Sequence, residues 1–174
     1  MINFIIYIMG VSGSGKTTIG KLLSQKTTIP FFDGDDFHPP ANKEKMKSGK
    51  PLNDDDRKEW LREINKMATE QAKLKGAVIA CSALKEKYRG ILSNGIADPI
   101  WIFLQGSYDE VYERMKKRND HYMPVQLLSS QFENLEIPAN VFSIDIKNEP
   151  EAIVAKIYQY LAERESFILS IQSE

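Results

Sequence analysis

The sequence predicts an α/β protein, a three-layer α/β/α arrangement around a mostly parallel five-stranded sheet. Three observations point there. Five short apolar runs recur along 174 residues, and the first, "FIIYIM", does not alternate, as a strand covered on both faces would not. Segments of helical character separate the runs, which makes each connection a crossover. Every unusual motif lies just after a strand, where parallel sheets hold their ligands.

Taken in order, residues 4–9 form the first strand and residues 16–24 the first helix. "TIPFFDGD" is a second short strand ending near Asp33. "PPANKEKMKSGKPLNDDD" is polar and holds one short helix, residues 41–47, stopped by Gly49 and Pro51. Residues 54–73 contain no helix breaker, and Trp60, Leu61, Ile64, Met67 and Ala68 draw an apolar stripe along them. "AVIAC" is the third strand, "ALKEKYRGIL" a short helix and "PIWIFLQG" the fourth strand. Ser107 with Glu110 is a capping box that opens another helix, with Val111, Tyr112 and Met115 inward and an end near Asn119. "VQLLSSQFENL" is a further helix between Pro124 and Pro138, and "NVFSIDI" the last strand. Asn148 and Pro150 signal the start of the final helix, which buries Ile153, Val154, Ile157 and Leu161. No internal repeat is present.

The length suits one domain, residues 1–174, with a core at about 3–164, a lid at about 117–138 and a tail at 165–174. A formal net charge of -1 argues against nucleic acid as a main partner. Cys81 is alone, so no intrachain disulfide forms, and with two distant histidines it makes no structural zinc pattern. The apolar start is too short to span a membrane and has neither a basic region nor a cleavage site. The expectation is a cytoplasmic protein with no membrane partner.

"GVSGSGKT" fits G-x-x-x-x-G-K-[ST] at every defined position, with a buried strand before it and a helix after it. Gly10, Val11, Ser12, Gly13, Ser14 and Gly15 let the backbone N–H groups converge on phosphate oxygens. Lys16 reaches the β- and γ-phosphates, Thr17 can hold Mg²⁺, and the start of the helix, through Thr18, adds its positive end. The expected ligand is a nucleoside triphosphate, bound together with Mg²⁺.

The destination of the phosphate is read from the acidic and basic clusters. In extended backbone Asp33 and Asp35 would point the same way, one to serve the metal and one to take the proton of an acceptor hydroxyl. A solvated acidic turn is the competing reading. His38 follows them. Asn53 to Asp56 can be a plain helix cap, but Arg57 stands in a first helical turn, where a cation is disfavoured, and suits an anionic substrate. Lys85 and Arg89 lie four apart beside Tyr88. Arg114 and Arg118 end a helix and could close over the phosphates, excluding water.

"GVSGSGKTT", "DGDDFHPPANKEKMKSGKPLNDDDRKEWL", "CSALKEKYR" and "SSQFENLEIP" together resemble the gluconate kinases, P-loop kinases related to shikimate kinases. The resemblance runs from Gly10 to Pro138. It implies transfer of the γ-phosphoryl group of ATP to the C6 hydroxyl of D-gluconate, with Mg²⁺, on a sheet of order 2-3-1-4-5 with a helical lid. It also implies a homodimer. Lys16 and Thr17 would serve phosphate and metal, Asp33 the metal, and Asp35 the acceptor hydroxyl as base. His38, Arg57, Lys85 and Arg89 would contact the sugar acid, and Arg118 would be a lid arginine. Asp120-His121-Tyr122 departs from the Gly-His-Phe of some relatives. The competing readings are a shikimate-like kinase for another hydroxylated acid, and a non-catalytic ATP-binding switch, which would leave the Asp and Arg clusters idle.

Overall fold

The computed structural model describes residues 3–117 and 127–172, with side chains described as far as residue 165. Its strands are β1 (Ile5–Met9), β2 (Phe31–Asp33), β3 (Ala77–Ala80), β4 (Ile100–Gln105) and β5 (Phe142–Asp145). They form one sheet in the order β2-β3-β1-β4-β5, and every pairing is parallel. The expected order 2-3-1-4-5 is the observed one.

The central strand shows why three layers form. β1 is buried at all five positions, and successive side chains leave a strand on opposite faces. Ile6 and Ile8 join one core with Ile19 and Leu23 of α1 (Lys16–Thr27) and with Ile153, Val154, Ile157 and Leu161 of α7 (Pro150–Gln172). Ile5, Tyr7 and Met9 join the other, with Trp60, Leu61, Ile64 and Ala68 of α3 (Asp54–Ala72) and Leu92 of α4 (Glu86–Ser93). Burying each large aliphatic side chain contributes roughly 1.5–3 kcal/mol. Tyr7 keeps its hydroxyl bonded inside this core by donating to the Leu92 carbonyl at 2.8 Å.

The remaining helices are α2 (Pro40–Lys47), α5 (Tyr108–Lys116) and α6 (Leu128–Glu133). Both halves of the Ser107–Glu110 capping box are formed. α6 is the described helix of the lid, and it lies on α5 with Leu128 in the same core as Val111 and Met115.

Three boundaries differ from expectation. α4 starts at Glu86 because Ala83 turns the chain at φ 44, and the Arg89 guanidinium holds that bend by donating to the carbonyls of Ala83 and Leu84. Asn148 does not cap α7; its side chain donates to the Asp145 carbonyl. α7 runs on to Gln172, through most of the segment expected to be a separate tail. Residues 118–126, with Arg118, Asp120, His121, Tyr122 and Pro124, lie outside the described residues. Among the described residues, no helix is long and apolar enough to cross a membrane.

Candidate active site

The carboxyl ends of β1, β2 and β3 open on one cavity of about 450 Å³. Ser12, Gly13, Gly15, Lys16, Thr17 and Thr18 form its floor, and Asp33, Asp35, His38 and Arg57 line it as well. Six of the nine loop residues named from the sequence therefore face it. The other three hold the loop in place. Gly10 donates its N–H to the Ser82 carbonyl at 3.4 Å, the Val11 carbonyl accepts from Lys16, and Ser14 is buried beneath.

The loop is tight because glycine allows it. Gly13 has φ 80, and a Cβ there would stand 2.6 Å from Cγ of Met115. α1 begins with no side-chain cap and no acidic residue in its first turn. Its free N–H groups and positive end thus face the cavity uncontested, a ready site for an anion. Lys16 donates to the Val11 carbonyl at 2.9 Å. Burial pushes its ammonium below the usual lysine range, with Asp35 the largest opposing influence.

Thr17 donates its hydroxyl to Asp33 Oδ2 at 2.8 Å. The other oxygen of Asp33 accepts from the Asp35 N–H at 3.1 Å. Asp33 and Asp35 are therefore not an extended pair. β2 ends at Asp33, and Gly34–Phe37 is a single 3-10 turn that the Asp33 side chain caps. Gly34 is needed where the turn meets β3, since a Cβ would lie 2.5 Å from the Ala80 carbonyl. The Trp60 indole N–H fixes the turn from α3, donating to the Gly34 carbonyl at 2.7 Å. Although its side chain keeps 64% of its accessible surface, desolvation by the surrounding cavity wall raises the Asp35 carboxyl above the usual range, against the pull of Lys16.

A hydroxyl and a carboxylate in contact are hard oxygen donors, suited to Mg²⁺ bound together with phosphates. Among the described residues, no group of three His, Cys, Asp or Glu side chains could hold a metal ion by itself.

His38 stacks on Trp60, with ring centroids 4.1 Å apart. Burial first, then Arg57 and Lys43, lowers its pKa to about 4. The imidazole is neutral at pH 7, so its 3.9 Å approach to Asp35 is no ion pair there. Arg57 donates to the Leu52 carbonyl at 3.2 Å and lies 5.6 Å from the centre of the Tyr88 ring. Arg57 Nε and His38 Nδ1 are buried without a hydrogen-bond partner. Such atoms are costly unless a ligand completes them.

Lys85 and Arg89 stay out of this cavity. Lys85 precedes α4 and pairs with Asp54 at 3.1 Å, beside a smaller hollow that it shares with Arg57 and Tyr88. Lys87 and the Tyr88 hydroxyl bind the same carboxylate. Arg89 is held at the Ala83 bend, so the two cations do not share a helix face. Arg114 is bonded to the Ile146 carbonyl and borders another hollow, of about 310 Å³, with Ser14, Gly15, Thr18, Lys147 and Asn148. Arg118 lies outside the described residues.

Other residues were not given roles from the sequence. Asn42 donates to the Asp56 carbonyl at 2.7 Å and Lys45 pairs with the Asp56 carboxylate at 2.6 Å. They tie α2 to the capping box of Asn53 and Asp56 that starts α3, one residue before Arg57. The spacing N-x-x-K was visible, but its target was not. Ser82, Ser130, Gln131 and Asn134 also line the cavity.

Comparison with known proteins bears on the family and the fold. The pattern of the shikimate kinase family matches residues 12–162. Two proteins of Escherichia coli K12 are similar over most of the chain. The thermosensitive gluconokinase is 43% identical over 147 residues, 82% of this chain and 79% of its own. The thermoresistant gluconokinase is 41% identical over 162 residues, 90% of this chain and 93% of its own. The crystal structure of a gluconokinase from Sinorhizobium meliloti 1021 superposes with a TM-score of 0.88 at 37% identity, covering 99% of each chain. The chain belongs to the gluconokinase family. As a gluconokinase relative, it is an ATP-dependent phosphotransferase for a small hydroxy acid. Shikimate kinase from Aquifex aeolicus vf5, at 18% identity and a TM-score of 0.61, shares the fold alone.

Proposed function

We propose that the protein transfers the γ-phosphoryl group of ATP to the C6 hydroxyl of D-gluconate, giving 6-phospho-D-gluconate and ADP, with Mg²⁺ (ATP:D-gluconate 6-phosphotransferase). One observation carries the reading: phosphate-binding, acidic and carboxylate-binding groups line a single cavity, from Lys16 and Thr17 through Asp33 and Asp35 to His38 and Arg57.

Each residue then has a task its surroundings support. The loop N–H groups and Lys16 hold the β- and γ-phosphates. Thr17 and Asp33 hold Mg²⁺, which when bound offsets charge on the phosphate oxygens. Asp35 accepts the proton of the C6 hydroxyl. The hydroxyl oxygen bonds to the γ-phosphorus as the bond to the bridging oxygen breaks, and ADP leaves. Desolvation at the cavity wall raises the Asp35 carboxyl and makes it a better proton acceptor than an ordinary carboxylate. Arg57 binds the gluconate carboxylate, and His38 a hydroxyl; each has one buried nitrogen still to be satisfied. The nucleoside end of ATP extends past Gly15 and Thr18 into the hollow beside Arg114. Arg118 keeps the lid role implied by the resemblance. Lys85 and Arg89 brace the wall from behind, in place of the direct substrate contact expected of them. The same resemblance supports a homodimer.

The test is a panel of sugar acids and shikimate, each supplied with ATP and Mg²⁺, with ADP release as the readout. Gluconate should give the highest kcat/KM. Preference for shikimate would favour the related activity, and ADP release independent of any acid would favour an ATP-driven switch.

A further inference from the structure

The residues of "SSQFENLEIP" that reach the cavity come from α6 and the turn after it. Gln131 is 7% exposed. Its side-chain oxygen accepts a hydrogen bond from the Ser12 N–H at 2.6 Å, across 119 positions of sequence. Ser12 belongs to the phosphate loop. A second tie follows downstream. The Glu136 N–H donates to the Leu84 carbonyl at 2.9 Å, and the Glu136 carboxylate accepts from the Glu86 N–H at 2.6 Å. Ser130 and Asn134 lie next to or between these ties, and both line the cavity with Asp35 and Arg57. This stretch of wall is pinned to the phosphate loop at one point and to the start of α4 at the other.

An N–H held at 2.6 Å by one acceptor has little left for a second. The Ser12 N–H is thus committed to α6, and phosphate is left to the rest of the loop and Lys16. A side chain that filled space alone would not need that oxygen.

We propose that Gln131 is a positioning residue for phosphoryl transfer. Its bond to Ser12 sets α6, with Ser130 and Asn134, at a fixed distance from the phosphate loop. The acceptor alcohol is thereby held in line with the phosphoryl group it attacks, where small displacements are costly in rate. This rests on the kinase reading above and adds to it the residue that registers one substrate site on the other.

Two variants of equal length test it. Gln131→Met keeps the bulk and removes the acceptor; Gln131→Glu keeps the acceptor. Amide hydrogen exchange of the loop peptide, with no substrate present, should speed up about 3- to 10-fold in Gln131→Met and return to the wild-type rate in Gln131→Glu. The acceptor KM should rise by a similar factor in Gln131→Met, while the Kd of a non-hydrolysable ATP analogue stays within about twofold. Gln131→Glu should instead weaken the analogue, because it places a carboxylate near the phosphates. Wild-type exchange in Gln131→Met, failure of Gln131→Glu to restore protection, or equal loss of acceptor and nucleotide would each overturn the proposal. Exchange needs no turnover, so inactivity of the wild type on gluconate would count against the gluconate reading alone. The KM comparison would then use the acid that the wild type prefers.

Discussion

The hydroxyl of Thr17 donates to Asp33 at 2.8 Å, joining the last residue of the phosphate-loop motif to the last residue of β2. The same aspartate caps the turn that carries Asp35. Two carboxylates two residues apart thus have different neighbours: Asp33 faces a hydroxyl, and Asp35 opens on the cavity within the electrostatic reach of Lys16.

From that difference, Asp33→Asn and Asp35→Asn should separate in a Mg²⁺ titration at saturating gluconate. Asp35→Asn should turn over at least about a hundredfold more slowly at every Mg²⁺ concentration, the usual scale for a lost general base. Asp33→Asn keeps the oxygen that caps the turn, and part of its defect should recover as Mg²⁺ rises. Rescue of Asp35→Asn alone would reverse the two roles.

Lys16→Ala should lose about a hundredfold or more in turnover, on the order of 3 kcal/mol of transition-state stabilisation. Its thermal midpoint should not fall. The ammonium is half-buried against one carbonyl, and desolvation already disfavours its charge. Near-normal turnover, or loss of activity through unfolding, would remove Lys16 from the phosphate site.

Arg57→Leu should weaken gluconate by roughly 10- to 100-fold, the range of a hydrogen bond to a charged group, and leave ATP affinity unchanged. Arg57 makes no ion pair with the neighbouring aspartates among the described residues, whose partners are Lys45, Lys58, Lys85 and Lys87. Separate titrations of the two ligands decide. Equal weakening of both would place Arg57 in the scaffold.

His38 carries a pH signature. Its pKa is about 4 in the folded protein and near 6.5 when unfolded. The unfolded chain binds the extra proton, so stability is full above the unfolded value and is lost as pH falls toward 4. Between pH 7.5 and 5 the loss from this group is about 2 kcal/mol. Asp35, with its pKa raised, acts in the opposite sense as pH falls. Urea unfolding at both pH values should show the drop in wild type and a smaller one in His38→Phe, which keeps the ring stacked on Trp60. Equal drops would mean that His38 is not buried neutral.

How much was legible depended on the range of the interaction. "FIIYIM" and the glycine loop are local signals, and both elements stand where the apolar run and the spacing put them. The Ser107–Glu110 capping box is equally local. The start of α4 was misread because the bend at Ala83 rests on Arg89, six residues along the chain and outside any helix signal. Asp33 and Asp35 were read as extended, since nothing local shows that Gly34 meets β3 and is held by Trp60, 26 residues away. Lys85 offered a cation near a strand end. Only the folded chain shows Asp54, 31 residues earlier, taking its charge. Gln131 was quoted within a motif but given no task, because its partner lies 119 residues back.

The central claim is the site of phosphorylation. The most direct measurement is NMR of the product formed from D-gluconate, ATP and Mg²⁺, with phosphorus-to-carbon coupling read along the chain of the sugar acid. The account predicts one product, coupled at C6, which Asp35→Asn forms at least about a hundredfold more slowly. A phosphate at any other carbon, or release of inorganic phosphate with gluconate unchanged, would contradict it.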